Sequence, residues 1–149
     1  MKNYKFGFSI RGFLAFVLVM IPNIIWMVKP PVNDVLAKNS SIYPALDMTG
    51  HISQAIMLAI LFLIINKDKT TNGKVKSCIS LAILCLIGYY ISWGFYYLGM
   101  VDSWLLIVMA FLPSVFFIFV EIWLKNYIAI IPSIVFVIAH IAITCSNYL

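Results

Sequence analysis

Long uninterrupted apolar runs, separated by short polar stretches that hold nearly all of the charge, set the pattern of this chain. The runs are continuous rather than alternating, so they read as helices and not as strands. In hydrocarbon every backbone N–H and C=O must be paired inside its own segment, which a helix achieves. Five spans are predicted, near Gly12–Val28, Leu46–Ile65, Cys78–Tyr97, Ser103–Trp123 and Tyr127–Cys145. Each has about 17 to 21 residues, close to the roughly 20 that cross a hydrocarbon core of about 30 Å. The second span is the least regular, because Asp47, His51 and Gln54 occupy its first two turns and the wholly apolar part begins at Ala55.

Composition agrees with that pattern. Of 149 residues, 64% are hydrophobic and 10% charged, and a mean hydropathy of +1.05 exceeds what a water-soluble surface carries. A soluble domain, a nucleic-acid-binding protein and a secreted disulfide scaffold are excluded. The expected fold is all-α: a polytopic integral membrane protein, a single transmembrane domain over 1–149, built as a bundle of five helices. Eight basic residues fall on one side of it (Lys2, Lys5, Arg11, Lys67, Lys69, Lys74, Lys76 and Lys125), and only Lys29 and Lys38 on the other. Basic loops stay inside, so the N-terminus is expected in the cytoplasm and the C-terminus outside a cell membrane. Val35-Leu36-Ala37 is a weak match to a leader-cleavage pattern, but it lies well past the first apolar run, which is expected to remain as an uncleaved anchor. Cys78, Cys85 and Cys145 form no CxxC pair and fall at different depths, so disulfide chemistry is not expected.

The longest connection, Lys29 to Pro44, carries three prolines and is expected to be stiff and extended, either a cover for a site or a plain link. The connection from Asn66 to Lys76 reads as a polar turn around Asn72-Gly73. Pro22, Pro113 and Pro132 fall inside spans, where each removes a helical hydrogen bond. Gly88 and Ser92 form a small-xxx-small pair suited to close helix contact. Spans four and five share a pattern: Ala110-Phe111-Leu112-Pro113-Ser114-Val115-Phe116-Phe117 matches Ala129-Ile130-Ile131-Pro132-Ser133-Ile134-Val135-Phe136, with Glu121 in register with His140. Adjacent spans run oppositely, so such a repeat is inverted, as in some transporters.

Polar groups at membrane depth must be paired or face water, so they mark candidate sites. They gather in the outer half: Asn23; Asp47, His51 and Gln54; Tyr89, Ser92, Trp93, Tyr96 and Tyr97; Asp102; His140 and Thr144. Helical spacing sorts most of them into three stripes, Asp47/His51/Gln54, Cys85/Tyr89/Ser92/Tyr96 and Ser133/His140/Thr144/Asn147. If these converge, Asn23, Asp47, His51, Gln54, Tyr89, Ser92, Trp93, Tyr96, Asp102, His140 and Thr144 line an outward-facing ligand pocket with aromatic walls. The plainer alternative is that Tyr43, Trp26, Trp93, Tyr96, Tyr97 and Trp104 form an interfacial aromatic belt, and that Asp47 and His51 are a local i, i+4 pair. Glu121, with Lys125 one turn on, reads as a helix ion pair or a side chain snorkelling to the inner interface, with a proton-coupling role as the alternative.

No motif names a reaction. A metal site is not expected, since neither HExxH nor paired-histidine spacing occurs. No Ser-His-acid arrangement, channel filter or cofactor motif is visible. The leading expectation is a protein that binds or transports a small amphipathic or aromatic molecule. The alternatives are an intramembrane enzyme using His51 and His140 as acid–base groups, and an accessory subunit. Expected partners are the lipid bilayer, a small-molecule ligand and either a larger membrane protein or further copies of the chain, with no nucleic acid.

Overall fold

A computed structural model describes residues 3–68, 70 and 73–149, with the backbone alone at Lys74 and Lys76. Lys2 and Lys69 of the basic count and Asn72 of the expected polar turn lie outside the described residues. Five long helices dominate: α1 (Ile10–Val28), α2 (Pro44–Leu63), α3 (Gly73–Tyr97), α4 (Ser103–Trp123) and α5 (Tyr127–Tyr148). All five are long and apolar enough to cross a membrane. The outer surface is apolar as well, with Leu84, Ile131 and Ile138 more than 60% exposed in mid-helix. Lipid covers such a surface and water does not, so this is a membrane protein.

The elements begin and end for local reasons. Ser9 caps α1 by accepting from the Gly12 amide at 3.2 Å, and Pro44 opens α2 at a position that needs no N–H. Helix α2 stops at Leu63, short of the expected Ile65, because Ile64–Asn66 (β2) pairs antiparallel with Tyr4–Phe6 (β1). This two-stranded ribbon was not expected from the sequence. Helix α4 ends in a Schellman turn: Lys125 takes φ +54°, its amide donates to Ile122 O at 3.0 Å, and the Asn126 amide donates to Glu121 O at 2.8 Å. Asn126 then closes the C-terminal end of α2, donating to Ile60 O and Ile64 O at 3.1 and 3.0 Å.

That turn corrects the expected Glu121–Lys125 pair. The left-handed residue throws the lysine off the helix, and its Nζ meets Asp68 Oδ2 and Thr70 Oγ1, both at 2.6 Å. Lys125, donating to the carboxylate, and the Thr70 amide hold Asp68 down at about 2. A lowered carboxylate stabilises the fold above its unfolded value of 3.8 and loses that contribution as the pH falls toward about 2. Asp68→Asn is therefore expected to flatten the acid limb of a thermal-melting pH profile and to lower the melting temperature at neutral pH by the same small amount, since solvent screens the exposed carboxylate.

Helix α3 packs along α4, α4 along α5 and α5 along α2, while α1 closes the ring with sparse contacts. Near the ribbon α1 comes tight against α2: a Cβ on Gly12 would fall 2.7 Å from Leu61 O. Gly88 makes the close approach expected of it, against Leu112 of α4. At the opposite end the Lys29–Tyr43 connection lies over the bundle as a strap, with one 3-10 turn at Leu36–Lys38.

Candidate functional site

A cavity of about 320 Å³ occupies the strap half of the bundle and is walled by all five helices and the strap. Its deepest lining residues on α1, α4 and α5 are Phe16, Phe117 and Phe136, which form an aromatic floor toward the ribbon end. Above the floor the walls differ in character. Helices α1 and α3 supply Trp26, Asn23, Tyr89 and Trp93; helices α2 and α5 supply Asp47, His51, Gln54, His140 and Thr144.

The aromatic wall is built edge to face. Trp93 sits 6.3 Å from Tyr89 and 5.6 Å from Tyr96, both near perpendicular, and 6.5 Å from Trp26. Asn23 donates to Tyr89 Oη at 2.8 Å and to its own helix at Val19 O, which fixes the phenol against α1. Trp93 Nε1 is buried with no acceptor in hydrogen-bonding geometry, although its residue lines the cavity. A buried indole N–H normally finds a partner, and the neighbouring Tyr89 hydroxyl is near enough to serve with a small adjustment.

On the polar wall His140 stacks on Phe136, 5.2 Å between ring centroids at 13°. Thr144 donates to His140 O at 2.9 Å and accepts from Asn39 of the strap at 3.3 Å. Asp47 does not pair with His51: both its oxygens accept from the Ser41 amide, at 3.1 and 3.0 Å. His51 is exposed and lines the cavity, so it marks where the cavity meets the surface. Among the described residues no three His, Cys, Asp or Glu side chains group closely enough to hold a metal ion.

The strap is tied down from several helices. Asp34 accepts from Trp26 Nε1 at 3.0 Å and from Tyr96 Oη at 2.8 Å, and Tyr96 Oη in turn accepts from the Leu36 amide. Tyr148 donates to Val35 O, Tyr97 to Lys29 O, and Asn147 to Asn39 Oδ1. Partial burial pulls the Asp34 carboxyl upward, but the donors Trp26 and Tyr96 and the amides of Ala37 and Leu36 outweigh it and hold it below the ordinary aspartate value.

Of the candidate residues, Asn23, Asp47, His51, Gln54, Tyr89, Trp93, His140 and Thr144 come together in this cavity. Ser92, Tyr96 and Asp102 do not. Ser92 is buried and donates back to Gly88 O at 2.8 Å; Tyr96 is spent on the strap; Asp102 is exposed at the start of α4. Ser133, grouped by spacing with His140, instead donates to Glu121. The belt alternative divides as well: Tyr43 and Trp104 are 71% and 73% exposed, as a belt requires, whereas Trp93 and Tyr96 are 5% and 0% exposed. Met109, Ser114, Phe117, Leu36 and Asn39 line the cavity without having been site candidates, and Trp26, expected only as part of a belt, lines it too. The strap residues had no helical spacing to flag them. Ser114 and Phe117 lay in the repeat, which marked them only as a pattern.

Fold and cavity together define a five-helix membrane protein with an aromatic-and-histidine cavity under a strap. Neither a protein-family model nor a curated protein nor a solved structure matches the chain.

Proposed function

We propose that this protein binds a small amphipathic or aromatic molecule, for transport or sensing, in a cavity facing the outer side of a cell membrane. One observation carries the reading: the cavity sets an aromatic wall from α1 and α3 opposite a polar wall from α2 and α5. A flat apolar body fits against Trp93, Tyr89 and the phenylalanine floor, while His51, Gln54 and His140 orient a polar end. Its volume of about 320 Å³ lies at the lower end of the roughly 300–1,000 Å³ typical of ligand pockets, which favours a small ligand. The excess of basic residues on the ribbon side supports an outward-facing strap. The enzyme alternative has less support, because a general base at His51 needs an orienting acid and Asp47 is committed to Ser41.

Native mass spectrometry of the gently solubilised protein tests this, with wild type beside His51→Ala and His140→Ala. The expected result is a co-purifying small molecule whose occupancy drops in both variants, about 2- to 10-fold in affinity for each lost hydrogen bond. A protein free of small molecules that brings down a larger membrane partner, equally in all three forms, would make it an accessory subunit.

A further inference from the structure

Glu121 is 0% exposed in the ribbon half of the bundle, beneath the cavity floor. One carboxyl oxygen accepts from Ser133, itself 0% exposed; the other, Oε2, is buried with no partner. The nearby charged and titratable groups are accounted for element by element. On α1, Arg11 stacks over the Trp123 ring at 5.5 Å. After α4, Lys125 pairs with Asp68, the one ion pair among the described residues. The first turns of α3 carry Cys78, and α5 opens with Tyr127; the side chains of Lys74 and Lys76 on α3 lie outside the described residues. No described cation reaches Glu121. A lone carboxylate at such depth, with one neutral donor, is costly, whereas the uncharged acid is tolerated.

The sequence pattern shared by α4 and α5 gives this group a counterpart in register. Position for position, Ser133 corresponds to Ser114 and Glu121 to His140. Each serine hydroxyl oxygen also lies 2.8 Å from the carbonyl four residues back, Ala129 O for Ser133 and Ala110 O for Ser114, and the single hydrogen of Ser133 serves either Ala129 O or Glu121. The contact between Glu121 of α4 and Ser133 of α5 thus maps onto the pair His140 of α5 and Ser114 of α4, both of which line the cavity. Phe117, one turn before Glu121 on the same face, belongs to the cavity floor and stands between the two levels.

We propose that Glu121 is a proton-binding site: with Ser133 as its hydrogen-bond partner, it takes up and releases a proton inside the bundle, beneath a floor that opens at Phe117. On release the O–H bond breaks, its electron pair stays on the carboxylate and the proton passes to water admitted from the cavity. This reading is independent of which ligand, if any, the cavity binds.

Infrared spectroscopy of the purified protein in lipid, titrated over pH, tests it directly. Wild type is expected to show the C=O band of a protonated acid that converts to carboxylate bands in a single titration. Glu121→Gln should lose that band, with helix content unchanged by circular dichroism. Ser133→Ala retains the acid but removes its partner, so the band should move in frequency; this variant serves if Glu121→Gln does not fold. Phe117→Ala should speed the shift of the band on transfer to D2O. The proposal is overturned if no acid band depends on Glu121 or Ser133, if Glu121 is a carboxylate at every pH, or if its acid band persists unchanged to alkaline pH. Loss or retention of a co-purified ligand in the histidine variants bears only on the cavity.

Discussion

Replacing Gly12 by alanine or valine is expected to lower the thermal stability of the solubilised protein, and by more for valine than for alanine. Helix propensity alone predicts the opposite, since alanine in a helix interior is favoured over glycine by about 1 kcal/mol. Packing decides the sign here. The new Cβ would fall 2.7 Å from Leu61 O, a backbone atom near the end of α2, and 3.0 Å from Leu61 Cγ. A carbonyl held in a helix cannot swing aside as a flexible side chain can, so α1 and α2 must separate. Overpacking of this kind costs about 1–3 kcal/mol, or more, which exceeds the propensity gain. The separation would also strain the ribbon, because the Gly7 and Ser9 amides donate to Leu63 O and Phe62 O beside this crossing. Gly94 supplies the control: it lies inside α3 with nothing within 4 Å of an added Cβ. Gly94→Ala is expected to leave the melting temperature unchanged or raise it slightly. Equal effects at the two glycines would refute the close crossing.

The sequence disclosed what depends on hydropathy and period, and hid what depends on long-range pairing and on rotation about a helix axis. Five apolar runs are legible because each satisfies its backbone alone. The end of α2 is not, since Ile64–Asn66 leaves the helix only to meet Tyr4–Phe6, some sixty positions away in the chain. The fate of Lys125 was hidden for a related reason: spacing placed it beneath Glu121, but one residue with positive φ sent it to Asp68. At the candidate site, depth was legible and facing was not. Trp93 and Trp104 share a depth, yet one is buried in the cavity wall and the other lies on the outer surface. The stripe through Cys85, Tyr89, Ser92 and Tyr96 divided on rotation in the same way, leaving Tyr89 in the cavity and taking Tyr96 to the strap. Asp34, which organises that strap, carried no sequence signal because its donors come from separate helices.

Asp34→Ala is expected to release the strap without unfolding the bundle. A single carboxylate oxygen collects the indole of α1 and a phenol of α3, and the same phenol anchors the Leu36 amide. Hydrogen bonds to a charged acceptor contribute roughly 1.5–3 kcal/mol each, reduced here because Asp34 is partly open to solvent. A net loss of about 1–3 kcal/mol confined to the strap corresponds to roughly 5- to 150-fold faster amide hydrogen exchange there. The amides to follow are those of Leu36, Lys38, Asn39 and Ser40, with the helix cores as the internal standard. The pH dependence fixes the sign. The Asp34 carboxyl is held below its ordinary value of 3.8, so the clamp is complete above that value and weakens as the pH falls through the lowered one. Strap protection should therefore be flat across the neutral range in wild type and fall only in acid, while Asp34→Asn, which keeps the shape but not the charge, should show partial loss at every pH. Because the strap roofs the cavity at Leu36 and Asn39, a bound molecule should also dissociate faster from Asp34→Ala. Strap exchange that is unchanged in this variant would assign the clamp to Tyr148, Tyr97 and Asn147 instead.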